Sequence, residues 1–119
     1  MQGLHLTAEL RGCAARSEFT DADALRDLCR AAADAAGLHA VGELFHRFAP
    51  PGGVTGVLLL AESHLAVHTW PELGAVTLDV YVCNVGADNR AAAHAVLDAL
   101  IPAFAPAHVQ RQALTRSLA

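Results

Sequence analysis

Val54-Thr55-Gly56-Val57-Leu58-Leu59-Leu60-Ala61 is an almost unbroken apolar run, and Glu62-Ser63-His64 follows it without a spacer. A run of this length reads as a central strand covered on both faces. Residues 64–69 then alternate until Pro71 stops them, and Val76-Thr77-Leu78-Asp79-Val80-Tyr81-Val82-Cys83 alternates cleanly, with Val76, Leu78, Val80 and Val82 facing one way. Period two marks a strand with one buried face. A tight turn or strand junction must lie at Glu62, Ser63 and His64.

Working back from this core, Pro50-Pro51-Gly52-Gly53 forces a turn. Residues 40–48 read as a strand, with Val41, Glu43, Phe45 and Arg47 on one face and Leu44, His46 and Phe48 on the other. Leu4, Leu6, Ala8 and Leu10 alternate with His5, Thr7, Glu9 and Arg11 in a first strand that Gly12 ends. Between these strands, Thr20 is placed to cap a helix, and Leu25, Leu28, Cys29, Ala32 and Ala36 share one helical face up to a stop at Gly37. Working forward, Asp88 or Asn89 caps a second helix whose buried stripe is Ala93, Val96, Leu97, Leu100, Ile101 and Phe104. A last strand spans residues 108–114. The order strand, helix, several strands, helix, strand predicts an α+β two-layer sandwich, a mostly antiparallel sheet with both helices on one face. The other face then needs a cover, and Val41, Phe45 and Val80 are the residues expected to line it beneath a partner subunit.

Composition sets the outer limits. The 119 residues suit one domain, and 54% hydrophobic content excludes a disordered chain. Aromatics are only 5%, so Leu, Val and Ala must build the core, and a small domain of that kind gains from oligomerisation. The formal charge is -4 and the eight Lys and Arg are scattered, which argues against nucleic-acid binding. No apolar stretch approaches the ~20 residues of a membrane span. The first residues lack the basic start and apolar run of a signal peptide. Cys13, Cys29 and Cys83 have no disulfide or zinc spacing, so reduced thiols in the cytoplasm are expected. His64 and His68 lie at i, i+4, but on a strand rather than a helix, so no metal site is expected.

Burying Glu62, Ser63 and His64 between apolar strands without a purpose would cost free energy. Taken singly, Ser63 reads as a turn residue, His68 as a core histidine, Cys83 as packing, Phe48 as core and Glu72 as a solvated carboxylate. Taken together, Ser63, His68 and Glu72 fall in a specific block, Glu62-Ser63-His64-Leu65-Ala66-Val67-His68-Thr69-Trp70-Pro71-Glu72. With Leu4-His5-Leu6, Glu9 and His46-Arg47-Phe48, this block resembles the bacterial S-adenosylmethionine decarboxylases over most of the chain.

The resemblance implies a proenzyme that cuts itself between Glu62 and Ser63, giving pieces 1–62 and 63–119. By that resemblance, Ser63 attacks the Glu62 carbonyl, Thr55 stabilises the cyclic intermediate, and His68 removes the Ser63 α-proton. Elimination and loss of ammonia then leave a pyruvoyl cofactor derived from Ser63. The resemblance further implies that this group forms a Schiff base with S-adenosylmethionine and accepts electrons as carbon dioxide leaves, with Cys83 as the proton donor. The product would be the aminopropyl donor for spermidine. Glu72 is the implied ribose-binding residue, Phe48 the implied adenine-stacking one, and Leu6 or a neighbour on the first strand the implied completion of that slot across a homodimer interface. Thr55 and Ala66 stand where the family often has serine or another small hydroxyl residue.

Chemistry alone asks for a strained or stabilised peptide and a neutral imidazole beside the α-proton. On a plain extended strand, however, Ser63 and His68 would point to opposite faces about 17 Å apart, so the two are expected in different local geometry, with a turn or break near Ser63. Other readings of the residues are an ornithine or arginine decarboxylase with the same chemistry, an unprocessed paralogue that only binds, and a metal-binding or structural dimerisation module.

Overall fold

The computed structural model describes residues 1–84 and 86–118. Its elements are β1 (Gln2–Arg11), α1 (Ala22–Ala35), β2 (Ala40–Arg47), β3 (Val54–Leu60), β4 (Ser63–Trp70), β5 (Ala75–Cys83), α2 (Arg90–Ala103) and β6 (His108–Ser117). Short 3₁₀ turns at Ser17–Phe19 and Pro71–Leu73 precede α1 and β5. The strands form one antiparallel sheet in the order β2-β3-β4-β5-β1-β6. Both helices pack on one face, which is the expected α+β sandwich. Among the described residues, no helix is long and apolar enough to cross a membrane.

The alternation in β1 and β5 sends Leu6, Ala8, Leu10, Val76, Leu78, Val80 and Val82 to the helix side, where each is at most 2% exposed. Leu25 and Cys29 of α1 and Ala93, Val96, Leu97 and Leu100 of α2 complete this core. Burial pushes the Cys29 thiol up to about 12, so it is inert packing. Gly12, with φ +62, ends β1.

Helix α1 is capped one residue later than expected. The Asp21 side chain accepts from the Asp23 and Ala24 N–H groups at 3.0 and 3.1 Å. Thr20 instead closes the preceding 3₁₀ turn through its N–H to the Ser17 carbonyl. Arg26 and Arg30 of α1 reach Glu43 on β2, an ion-paired link between helix and sheet.

The open face corrects two expectations. Val80 is fully buried on the helix side, and Phe45 packs there too, across Gly56. A register shift separates Ala40 from Gly42, and Val41 sits in that shift, 69% exposed. Residues that do line the open face include Leu44, Leu59, Trp70 and Leu114, each 43–70% exposed. Strand β3 is therefore covered on one face only: Val54, Leu58 and Leu60 are buried, whereas Leu59 looks outward.

The hairpin β3–β4 requires glycine at its open end. A Cβ on Gly53 would lie 2.5 Å from the Thr69 carbonyl oxygen, a backbone atom that has no rotamer to escape into. Gly53→Ala is expected to destabilise the protein by about 1–3 kcal/mol, measured by urea unfolding.

Candidate active site

The turn joining β3 to β4 consists of Ala61 and Glu62 alone, because Leu60 pairs with Ser63. Glu62 has φ +54, the left-handed region that a non-glycine residue occupies at a cost of about 1–2 kcal/mol. Its carbonyl belongs to the peptide bond that precedes Ser63. The backbone strain therefore sits in the residue that supplies that carbonyl, and such outliers cluster at functional sites.

Ser63 opens β4 beside the end of β5, and its Oγ accepts a hydrogen bond from the Cys83 N–H at 3.3 Å. Asn89, immediately before α2, donates its side-chain N–H to the Cys83 carbonyl at 2.9 Å, and its own N–H donates to the Asn84 side chain at 2.9 Å. These bonds tie the end of β5 to the start of α2. Ser63, Asn89, His39 and Leu60 border a depression of about 180 Å³. Asn89 was not singled out by sequence, where it read only as a cap; its side chain makes no cap bond in the structure.

A second group gathers at the other end of β4. Thr55 and His68 are cross-strand partners, and Thr55 Oγ1 lies 3.0 Å from His68 Nδ1. Phe48, Thr55, His68, Trp70 and Glu72 line a cavity of about 280 Å³. Trp70 stacks beside the His68 ring with centroids 6.3 Å apart and planes 24° off parallel. Trp70 is the aromatic that the sequence reading left unassigned; its place two residues after His68 puts both on one face. Phe48 is 52% exposed, and its N–H donates to the Gly53 carbonyl across the proline-glycine turn at 2.9 Å.

Leu6 belongs to neither group. It is 2% exposed within the helix-side core, because it shares the parity of Ala8 and Leu10. Its neighbours His5 and Thr7 carry the open face of β1, where they border a separate depression with Leu114. The expectation that Leu6 meets substrate is corrected on that ground.

The two groups do not meet within one chain. Ser63 shares the parity of the buried Leu65 and Val67, whereas His68 lies on the open face with Trp70. Five residues of strand separate them by about 17 Å.

Between the groups, the open face carries a cluster of ionisable side chains. His5 Nε2 lies 3.2 Å from Asp79, and the His64 ring stacks on Tyr81 with centroids 5.7 Å apart. Burial holds the His64 pKa below its ordinary value, and nearby His5 adds to the effect while Asp79 opposes it. The unfolded state thus binds a proton at His64 more readily than the folded state. The stabilisation is complete above the unfolded pKa of about 6.5 and is lost as pH falls through the lower folded value. His64→Gln is expected to flatten the stability profile in that window, measured by urea unfolding from pH 7.5 to 5.

Comparisons with known proteins show the family. Residues 4–117 match the family described as S-adenosylmethionine decarboxylase. The chain is 35% identical to the S-adenosylmethionine decarboxylase proenzyme of Aquifex aeolicus, covering 98% of this chain and 82% of that protein. It is 37% identical to the proenzyme of the same name from Thermococcus onnurineus, covering 87% and 72%. The crystal structure of the adenosylmethionine decarboxylase from Aquifex aeolicus superposes with a TM-score of 0.86 at 34% identity, over 98% of this chain and 92% of that one. Relatives come from bacteria and archaea alike, so the likeness is wider than the bacterial branch. A match over nearly the whole length, on the same fold, is decisive: the chain belongs to the S-adenosylmethionine decarboxylase family.

Proposed function

We propose that this chain is a self-processing precursor of a pyruvoyl-dependent S-adenosylmethionine decarboxylase, cut between Glu62 and Ser63. The observation that carries the reading is the left-handed Glu62 immediately before a serine that lies against Cys83. In the processing step, Ser63 Oγ attacks the Glu62 carbonyl carbon, the C–N bond breaks, and an ester replaces the amide. Release of the strained turn offsets part of that uphill exchange. An imidazole then removes the Ser63 α-proton, and the Glu62 carboxylate leaves, giving dehydroalanine. Tautomerisation and hydrolysis expel ammonia and leave a ketoacyl group at residue 63.

Thr55 suits the support of His68. In the tautomer that carries its proton on Nδ1, that N–H donates to the Thr55 hydroxyl and the Nε2 lone pair is free to act as base. Because Ser63 and His68 lie at opposite ends and on opposite faces of β4, we assign them to different copies in each working site. Two open faces packed about a two-fold axis perpendicular to the strands place the Ser63 end of one β4 over the His68 end of the other; Ser63 is the first residue of β4, so the two meet past the end of the sheet rather than across its open face. Such packing also covers Leu44, Leu59 and Trp70, which a lone chain leaves in water. The active form is then a homodimer of cut chains.

The pyruvoyl group supplies an electron sink for the carbanion left by carbon dioxide. The chain's own residues do the rest. Glu72 accepts hydrogen bonds from the ribose hydroxyls, and Phe48 and Trp70 offer flat faces to the adenine and the sulfonium cation. Cys83, beside residue 63, delivers the proton to the former α-carbon. An aromatic cavity with one carboxylate fits a nucleoside better than it fits ornithine or arginine.

The direct test is the intact mass of the purified, reduced protein, followed by carbon dioxide release from S-adenosylmethionine, ornithine and arginine. Two pieces, the second starting at residue 63 and blocked to Edman degradation, support the reading. An uncut chain that decarboxylates S-adenosylmethionine sinks it, and release only from ornithine or arginine moves the substrate.

A further inference from the structure

We infer that Thr69 is a positioning residue, whose buried hydroxyl holds the backbone from which Thr55 and His68 project. The inference rests on the processing roles assigned above to Thr55 and His68. Thr69 is 3% exposed, a polar residue buried in the core. Its Oγ1 accepts from the Val54 N–H at 2.8 Å and donates to the Phe19 carbonyl at 2.7 Å.

The placement of these two bonds gives the residue its role. Val54 is the first residue of β3, immediately before Thr55, and Thr69 immediately follows His68 on β4. The Thr69 hydroxyl thus clamps β3 to β4 one residue beyond the Thr55–His68 pair. The second bond fixes that clamp to the 3₁₀ turn Ser17–Phe19. Phe19 is itself locked against Phe104, their ring centroids 5.8 Å apart in an edge-to-face contact. Alternation along β4 sends the hydroxyl inward while His68 and Trp70 point outward into the cavity. A core hydrogen bond on one face of the sheet therefore sets the aim of the base on the other.

Valine keeps the branched shape at position 69 and deletes the hydroxyl, leaving the Val54 N–H and the Phe19 carbonyl without their partner. Serine keeps the hydroxyl. The full chain is made by cell-free translation, and cleavage of the folded precursor is followed over time by intact mass. Thr69→Val is expected to process about 10- to 100-fold more slowly, the scale of a misplacement of about 1 Å. Thr69→Ser is expected to stay within about threefold of the parent. Val96→Ala, a core change on α2, serves as a stability control and is expected to process at the parent rate even where its melting temperature falls as far.

Cleavage of folded Thr69→Val at the parent rate overturns the inference. If Thr69→Val shows no melting transition, Thr69→Ser decides: processing within threefold supports the clamp, and slower processing overturns it. His68→Ala run in parallel separates the two layers. If it stalls while Thr69→Val keeps pace, only the positioning role falls; if it also cleaves normally, the assignment of His68 falls and the clamp with it.

Discussion

Ser63→Ala is expected to leave every molecule as a single 119-residue chain with no decarboxylase activity. Alanine removes the one oxygen that attacks the Glu62 carbonyl, and it removes the atom whose loss creates the ketoacyl group. Both consequences follow from one side-chain atom, so the cleavage rate should fall by more than about 10³-fold. The fold should survive, because Ser63 gives its neighbours only the acceptor for the Cys83 N–H. Losing it should cost about 1 kcal/mol. Intact mass reads the cleavage and urea unfolding reads the stability. A Ser63→Ala protein that still divides at residue 62 would place the chemistry on another group.

The second large effect is a restoration. Ser63→Ala and His68→Ala should each be inert alone. Co-expressed in one cell, they form mixed dimers in which the Ser63→Ala copy supplies His68 to the Ser63 of the other. One of the two sites is then complete. With random pairing, about half of the His68→Ala chains should be cut and the Ser63→Ala chains should stay whole. The two products have different masses, so one spectrum scores both. The rescue arises because β4 holds its serine and its histidine at opposite ends, about 17 Å apart, too far to meet within one chain. If His68→Ala chains alone process at the parent rate, or if mixing restores nothing, the site is not shared between copies.

Much of the architecture was legible in the sequence, and the reasons differ by element. Strand β5 was readable because Val76, Leu78, Val80 and Val82 alternate without a break, and one buried face fixes such a strand's parity. Strand β2 was readable only in part. Its alternation from Glu43 to Arg47 was right, but the face carrying Phe45 was set under a partner, whereas it packs toward the helices; the register shift between Ala40 and Gly42 touches only Val41. The cap of α1 moved from Thr20 to Asp21 because residues 17–19 form a turn that needs the Thr20 N–H. Leu6 was misplaced although its own alternation pointed inward, since the likeness to a family outweighed the parity of β1.

The candidate site divides along similar lines. Ser63, His68 and Glu72 were named because the block from Glu62 to Glu72 is distinctive, and Cys83 through the wider resemblance. The spacing of five residues called for a turn or break near Ser63 if Ser63 and His68 were to meet, but the structure holds both on the one strand β4, apart. Asn89 and Thr69 escaped notice because their hydrogen bonds reach residues 6, 15 and 50 positions away. Nothing local in a sequence marks a partner at that distance.

Division between Glu62 and Ser63 would sort β1, β2 and β3 into one piece and β4, β5 and β6 into the other. The pieces are interlocked, because β1 runs between β5 and β6 and β3 lies beside β4. Three of the five seams of the sheet therefore join one piece to the other. The two products should travel as one particle through a native sizing column and come apart only when the sheet is denatured.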